Sequence, residues 1–475
     1  MTRPRPVDQA RAIVESAVPD VKVEAISRTL TERLLTSFEV KLADGRTLLL
    51  TISPPSSRLL RSEKWLVHSE AALVEWLAKY ADKNTIYPDD KRTETYTQRE
   101  SSRKGWTQHS TSEALSLRHD RLIDCLPTLV KHSSNSIQPS STFNLFQPAS
   151  GDILSGIAEP LDQTSIDFQK GWLVRRIASI TSPNGRFGLP VTVLGRPQNP
   201  GITQKATREH ELDLDGAESW RKTFHLLLEG ILRDGEDLAV TMSYELVRAT
   251  YHKFSPLLDA VKTPRLVVYD ADGDDNVLVS RVRRTSKHRD ETKNGITKLA
   301  DELDCSAVDA LDISRENTDG NQTTKIQITG LRDWSNSIFG DPLFATIFSH
   351  ATPDFKRGFH HPHAEDPTTT TKKEERTNPD DPDIIEDPAN AQTRILLYEC
   401  YHATASIVRQ FYRPDAESSR REIAARRRLM AALAKLEAVA AAQAQGAGKR
   451  PRRGSREVPA KRARSDTPVG RRWVE

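Results

Sequence analysis

Two short segments place polar side chains directly after runs of residues that favour β-strands. The first, TPRLVVYDADGDDNVLVS, predicts a strand over 265–269, an acidic loop from Asp270 to Asn276 and a second strand over 277–279. The second, TKIQITGLRDWSNSIFGDPL, predicts a strand through 326–328 that is followed by Asp333. Hard cations such as Mg²⁺ bind carboxylate and amide oxygens, so Asp270, Asn276 and Asp333 are candidate ligands of one metal ion.

Each loop also has a plainer interpretation as a turn, because Asp, Asn and Gly are the usual turn residues. A shared metal requires elements that bring the two loops together. The first part of the chain favours strands: residues 38–42 and 48–52 alternate around Ala43, Asp44 and Gly45, which predicts a hairpin with a three-residue turn. In that register the apolar side chains of both strands share one face, namely Phe38, Val40, Leu42, Leu48, Leu50 and Ile52.

A helix over SEKWLVHSEAALVEWLAKY and a strand from Phe143 to Phe146 follow, and helical periodicity dominates after Pro148. Strands followed by helices predict an α+β protein, with a small β-rich lobe at about 20–147, a larger mainly helical lobe at about 152–445 and a cleft between them. Polar segments at about 82–118, 281–323 and 365–392 are predicted to be disordered inserts, and 446–475 a disordered tail.

The composition of the 475 residues excludes some classes of protein. No apolar run approaches the roughly 20 residues that cross a bilayer, and the first residues lack the apolar stretch of a secretory signal. Cys125, Cys305 and Cys400 lie far apart, without the spacing of a disulfide framework or a zinc knuckle. We therefore expect an intracellular, cytoplasmic protein that has no membrane partner.

The net charge of +3 is unevenly distributed along the chain. From Gly446 to the end, ten Lys or Arg stand against three acids, which gives the tail +7 and residues 1–445 a charge of −4. Two basic clusters, at 449–453 and 461–464, fit either a nuclear import signal that binds an importin or an arm that contacts nucleic acid.

Several segments in order resemble the aminoglycoside phosphotransferase family, whose fold is that of protein kinases, and especially its large fungal group. They include KLADGRTLLLTISPP, FNLFQPASG, GWLVRRIASITSPNGRFG, SWRKTFHLLLEGILRDGED, PRLVVYDADGDDNVLV, ITGLRDWSNSIFGDPL and RILLYECYHATASIVRQFYRP, between about Lys41 and Pro414. The resemblance implies a kinase-like bilobal fold, with ATP and Mg²⁺ as cofactors.

The resemblance also implies roles for individual residues. Asp333 in GLRDW would bind the metal and Asn276 would be its second ligand, while Asp270 would orient the acceptor hydroxyl. Glu70 would be the glutamate of the helix behind the nucleotide site. Phe146 lies in Phe143–Gly151, the strand and hinge that would hold the adenine.

The sequence departs from the family pattern at four places. The lysine of the third strand, which would hold phosphates and pair with Glu70, is replaced by Thr51, and Val268 replaces the histidine two places before Asp270. The step from Asp270 to Asn276 is six residues instead of five, which makes Asp272 the alternative base. Residues 27–37, the expected nucleotide loop, contain no glycine.

Lys41 is a candidate replacement for the missing positive charge, because the hairpin register puts it on the sheet face of Thr51. Its alternative is a solvated strand residue, as is usual for lysine. Two functions remain open at this point. The retained acids favour a phosphotransferase that uses ATP and Mg²⁺ on an unknown hydroxylated small molecule, and the departures favour a degraded, pseudokinase-like module that binds nucleotide or protein.

Overall fold

The computed structural model describes residues 6–29, 33–86, 126–133, 142–195, 216–281, 326–360 and 384–447, without the side chains of 81–86 and 445–447. The strands are β1 (Val23–Arg28), β2 (Thr36–Leu42), β3 (Thr47–Ile52), β4 (Thr128–Ser133), β5 (Phe143–Gln147), β6 (Asp152–Ile153), β7 (Arg265–Val268), β8 (Val277–Arg281), β9 (Ile326–Leu331) and β10 (Ser337–Gly340). The helices are α1 (Pro6–Ala17), α2 (Leu66–Ile86), α3 (Gln163–Ala178), α4 (Pro190–Leu194), α5 (Trp220–Asp237), α6 (Tyr244–Phe254), α7 (Pro353–His360), α8 (Ala391–Tyr412) and α9 (Ser418–Ala447).

The first five strands form one antiparallel sheet in the order β1-β2-β3-β5-β4. Phe38 pairs with Leu50 and Val40 with Leu48, and Gly45 has φ 84° in the turn between the two strands. This positive φ is the reason that glycine stands there. The apolar face predicted from the sequence is buried in one cluster with residues of α1, so the predicted hairpin register is confirmed.

The other face of this sheet turns toward α2 and the helical lobe. Thr51 pairs with Asn144, and Leu49 pairs with Phe146, across β3 and β5. Partners in an antiparallel pair point to the same side of the sheet. Phe146 belongs to the hydrophobic cluster that continues through α2 into the helical lobe, and this face therefore forms the roof of the cleft.

The core of the helical lobe is built from large aromatic side chains. Trp220 and Phe224 of α5 pack against Phe344 and Tyr398, with ring centres 5.3 to 6.2 Å apart. The Trp220 indole N–H donates to the Tyr398 hydroxyl, which in turn donates to Asp341, both at 2.7 Å. Because each buried polar tip has a partner, the aromatic rings can be buried without an unsatisfied donor.

His402 of α8 packs against this core and should make stability depend on pH. Its ring stacks on Phe344 with 4.8 Å between the ring centres, and its Nε2 donates to the Phe344 carbonyl at 2.8 Å. Burial lowers the pKa of His402 to about 4. As the pH falls below about 6.5, this histidine binds a proton in the unfolded chain, whereas in the folded chain it stays neutral down to a pKa of about 4. The free energy of unfolding should therefore drop by about 2 kcal/mol from this group between pH 7 and pH 5.

The measurement for His402 is urea unfolding of the wild type and His402→Gln at both pH values. We expect the variant to lose about 2 kcal/mol less than the wild type over this interval. Equal pH dependence in the two proteins would show that His402 titrates normally in the folded state.

Helices α3 and α7 approach each other closely at two glycines. A Cβ at Gly171 would overlap the Phe355 carbonyl oxygen, and a Cβ at Gly358 would overlap the Phe168 carbonyl oxygen. Gly358→Ala is expected to lower the free energy of unfolding by about 1–3 kcal/mol, because the two helix backbones must separate. Gly230→Ala in α5 is the matched control: its Cβ meets open space, and the change should stabilise by up to about 1 kcal/mol. Urea unfolding that gives both variants the same sign would contradict this packing argument.

A cluster of charges ties the start of α2 to the helical lobe. The single turn Arg61–Trp65 precedes α2, and there Arg61 donates to the buried Asp234 through its backbone N at 2.9 Å and its Nη1 at 2.5 Å. Glu63, which is 6 % exposed, accepts from Arg409 Nε at 3.1 Å and from Arg413 Nη1 at 2.6 Å. These contacts, which we name the α2 clamp, fix the helix that carries Glu70.

The α+β class and the bilobal arrangement predicted from the sequence are confirmed, with the five-stranded sheet and α2 before the helical lobe. Most of the predicted inserts and the tail from residue 448 lie outside the described residues. The end of the third predicted insert is an exception, since Ile384 and Ile385 are buried and Glu386 accepts from the Lys262 and Thr263 backbone. No described helix is long and apolar enough to cross a membrane.

Candidate functional site

The two acidic loops lie where strands of the helical lobe begin and end. β7 ends at Val268, two residues before Asp270, and β8 begins directly after Asn276. β9 ends at Leu331, two residues before Asp333. β7 pairs with β10 and β8 pairs with β9, all antiparallel. These pairings bring together two loops that are far apart in the sequence.

The loop from Asp270 to Asn276 accommodates its six-residue step with two consecutive turns. Gly273 N donates to the Asp270 carbonyl at 3.1 Å, and Asn276 N donates to the Gly273 carbonyl at 2.7 Å. The additional residue is therefore accommodated within this loop, and the Asn276 side chain still contacts Asp333 in the second loop.

Asn276 is fully buried and links the two loops through its amide. Its Oδ1 accepts from the Asp333 backbone N–H at 2.9 Å. Its Nδ2 donates to the Asp333 carbonyl at 3.1 Å and, more weakly, to the Asp270 carbonyl at 3.4 Å. In this arrangement Asn276 holds the Asp333 turn in place, and the Asp333 N–H occupies one of the two lone pairs of the Asn276 amide oxygen.

One cation joins the two predicted aspartates. Arg33, from the loop between β1 and β2, donates through Nη2 to Asp270 Oδ2 at 2.8 Å and through Nη1 to Asp333 Oδ2 at 2.5 Å. The side chains of Arg33 and Asp333 are only 12 % and 10 % exposed, whereas Asp270 is 31 % exposed. The structure thus brings Asp270 and Asp333 to a common point, as the sequence predicts, and places a guanidinium there.

Glu70 lies directly beside this pair but has no lysine partner at Thr51. The buried Glu70 carboxylate accepts from Asn144 Nδ2 at 2.9 Å and from the Trp334 backbone N at 3.2 Å. Thr51 makes one long hydrogen bond, to the Asn144 carbonyl at 3.5 Å. Asn144 of β5 is therefore a neutral partner of Glu70 and supplies no positive charge.

Burial and the Arg33 charge separate the pKa values of the three acids. Burial raises the pKa of Asp270, and Arg33 only partly offsets this effect. Burial acts on Asp333 in the same direction, but Arg33 and Ser335 hold the pKa of Asp333 below its usual value. Burial, and after it the negative charge of Asp333, raise the pKa of Glu70 well above the usual value. Asp333 is thus the acid of the site that ionises most readily, and Glu70 retains its proton more strongly.

The other acids of the first loop have different partners. Asp272, the alternative base, lies 3.4 Å from Thr346 Oγ1 and 3.4 Å from His350 Nε2. Asp274 accepts from the buried Lys170 at 2.6 Å, and Asp275 accepts from Ser155 at 2.6 Å. The partners of Asp272, Asp274 and Asp275 therefore all belong to the helical lobe, whereas Asp270 contacts Arg33 of the β-rich lobe.

Two predicted cofactor-binding residues lie apart from the aspartates. Lys41 is exposed and pairs with Thr47, on the same sheet face as Thr51 but four residues further along β3. At about 3.3 Å per residue this is roughly 13 Å, so the structure does not bring Lys41 to the acids. Phe146 is buried on the cleft side of β5, 1 % exposed, next to Leu49 of β3.

The carboxylates of Asp270 and Asp333 fit a hard divalent cation, because each turns one oxygen to the point that Arg33 contacts. Asp270 Oδ1 is buried and has no hydrogen-bond partner among the described residues. Within the described ranges, no three His, Cys, Asp or Glu side chains are gathered as a ready metal cage. A cation here would therefore depend on a second partner, such as phosphate oxygens, for the rest of its shell.

Three residues of the site were not predicted from the sequence: Arg33, the neighbouring Arg332, and Asn336, which donates to Asp270 Oδ2 at 2.9 Å. The signal for Arg33 was available, since it is one of two basic residues, with Arg28, inside the glycine-free loop that was expected to approach phosphates. Asn336 lies three residues after Asp333 and carries no sequence pattern of its own.

Comparisons with known proteins give similarity in structure alone. No family model matches the sequence, and no curated protein matches it. The aminoglycoside phosphotransferase APH(4)-Ia is 12 % identical, with a TM-score of 0.44 over 90 % of this chain and 98 % of that chain. A protein assigned as a fructosamine-3-kinase from Thermobifida fusca is 11 % identical, with a TM-score of 0.42 over 88 % and 99 %.

The GDP complex of aminoglycoside 2'-phosphotransferase-IIIa is 11 % identical, with a TM-score of 0.41 over 91 % of this chain and 99 % of that chain. Values this low transfer neither activity nor site residues to this chain. The resemblance to the fungal group in particular stays a prediction from the sequence.

Proposed function

We propose that this chain is a kinase-like phosphotransferase that transfers the γ-phosphate of ATP to a hydroxyl of a small-molecule acceptor. The observation that carries the proposal is the convergence of Asp270 and Asp333 on one cation, at 2.8 and 2.5 Å. Phosphoryl transfer depends mainly on positioning the reactants and on neutralising charge on the phosphates. One acid to orient the acceptor and a second acid to hold the metal, fixed close together, meet these two needs.

Each residue of the site has a defined task in this proposal. Asp270 orients the acceptor hydroxyl and accepts its proton. Burial raises the pKa of Asp270, which brings that pKa closer to the value that suits a general base at neutral pH. Asp333 would hold Mg²⁺ with the help of Asn276, and the metal would neutralise charge on the β- and γ-phosphates. Glu70 and Asn276 fix the Asp333 turn through the backbone N–H groups of Trp334 and Asp333.

A second function, the pseudokinase-like module, is favoured by one specific observation. Arg33 already neutralises the two acids, and Thr51 supplies no charge for phosphates. A chain of this kind would bind nucleotide or a protein partner without turnover, because fold alone does not determine activity. The two proposals differ in whether bound ATP is consumed.

The test is the thermal stability of the full chain with ATP, in the presence of Mg²⁺ and in the presence of EDTA. A ligand at 100 times its Kd stabilises the folded state by about 2.7 kcal/mol, and we expect a clear rise in Tm with MgATP that Asp333→Asn makes smaller. Asp274→Asn, in the same loop but bonded to Lys170, is the control and should keep the rise. A flat response of the wild type removes the phosphotransferase proposal, and binding without ADP formation favours the module.

A further inference from the structure

A second arginine, Arg332, lies next to the aspartate that Arg33 contacts. Arg332 directly precedes Asp333, and its backbone N donates to the Asn276 carbonyl at 2.8 Å. Its side chain therefore starts from the turn that Arg33 contacts through Asp333.

Both guanidinium groups have buried donors that are not satisfied. Arg332 Nη1 and Arg33 Nε are buried and have no hydrogen-bond partner in the part of the chain that the structure describes. A buried donor without a partner costs about 1–3 kcal/mol, and more when the group is charged. An anion that accepts from both groups would relieve both costs.

The position of the pair indicates which anion this is. In protein kinases the loop between the first two strands covers the phosphates, and a lysine on the third strand holds them. Arg33 lies in the β1–β2 loop, whereas Thr51 stands at the lysine position of β3. Guanidinium groups bind phosphate oxygens through charge-assisted and often bidentate hydrogen bonds.

We propose that Arg33 and Arg332 together form a binding site for the phosphate chain of a nucleoside di- or triphosphate, and supply the charge that Thr51 cannot. The inference rests on the proposed function for the identity of the nucleotide, but the phosphate site can be tested without it. Because guanidinium groups need no metal, part of the phosphate affinity persists when divalent cations are removed. The carboxylates of Asp270 and Asp333 hold Arg33 in place before the phosphates arrive.

The experiment is calorimetric titration of the full chain with sodium tripolyphosphate, ATP and adenosine in EDTA. Arg332→Gln and Arg33→Gln are each expected to weaken tripolyphosphate and ATP binding by about tenfold or more, while adenosine binding is unchanged. Arg332→Lys keeps the charge without the fork and should fall between wild type and Arg332→Gln. Arg46→Gln, an exposed hairpin arginine bonded to Asp44, is the matched control and should bind as the wild type does.

The outcomes separate this inference from the proposed function. The inference is overturned if the wild type does not bind tripolyphosphate in EDTA, or if both Gln variants bind it as tightly as the wild type while their urea midpoints show that they are folded. Consumption of MgATP with unchanged Gln variants would leave the phosphotransferase proposal standing. Arginine-dependent tripolyphosphate binding without any nucleoside or turnover would leave the phosphate site standing alone.

Discussion

Asp270→Asn is expected to lower the rate of ADP formation from MgATP by about 100- to 10,000-fold, the range that removal of a positioned general base produces. The affinity for MgATP should change little, because the proposed metal ligand Asp333 and the Arg332 side chain remain. Asn preserves the shape of the side chain but cannot accept the acceptor proton. The measurement is ADP release with a hydroxylated acceptor, compared with hydrolysis of ATP without one.

Asp272→Asn is the control for this prediction, because Asp272 lies in the same loop and bonds Thr346 instead of Arg33. Its rate should stay within a few-fold of the wild type. If Asp272→Asn loses activity and Asp270→Asn does not, the base is Asp272 and the assignment of Asp270 is wrong.

Glu63→Ala is expected to lower the free energy of unfolding by about 3 kcal/mol or more. This is the largest effect on stability that we expect from a single residue of the α2 clamp. The Glu63 carboxylate is buried, and it accepts from Arg409, from Arg413 and from the Leu60 backbone N at 3.0 Å. Removing one member of a buried ion pair leaves its partners without compensation, which typically costs 3–5 kcal/mol; because Arg409 is 43 % exposed, the lower end of this range applies.

The matched control for the α2 clamp is Glu417→Ala, which removes an exposed carboxylate 3.6 Å from Arg420 on α9. An exposed ion pair of this kind contributes at most about 1 kcal/mol. Urea unfolding of both variants tests the comparison. Similar small losses for Glu63→Ala and Glu417→Ala would mean that the clamp does not hold α2 to the helical lobe.

Local patterns in the sequence predicted the elements that have a clear apolar period. The β2–β3 hairpin has strict alternation and a glycine with positive φ, and the strands around Asp270 and Asp333 are short apolar runs that end in acids. β1 and β4 were missed because each buries only one residue fully, which leaves no alternation to detect.

The contacts that define the site could not be predicted in this way. Arg33 and Asp333 are separated by 300 positions, and Glu63 and Arg413 by 350, so their pairing depends on how the lobes pack. Lys41 was a candidate because the alternation of side chains puts it on the same sheet face as Thr51. Alternation fixes the face of the sheet but not the distance along the strand, and Lys41 lies opposite Thr47 instead of Thr51. Asn144 beside Glu70 carries no sequence signal, since the two residues are 74 positions apart and meet only when β5 packs against α2.

The central claim is that Asp333 holds a divalent cation beside Asp270, where the cation meets the phosphates of a nucleotide, and a crystal structure with ADP and Mn²⁺ tests it most directly. The account predicts an anomalous manganese peak within ligand distance of Asp333 and phosphate density next to Arg33 and Arg332. Saturating MnADP that leaves Arg33 bonded to both aspartates, with no nucleotide density between the lobes, would contradict it.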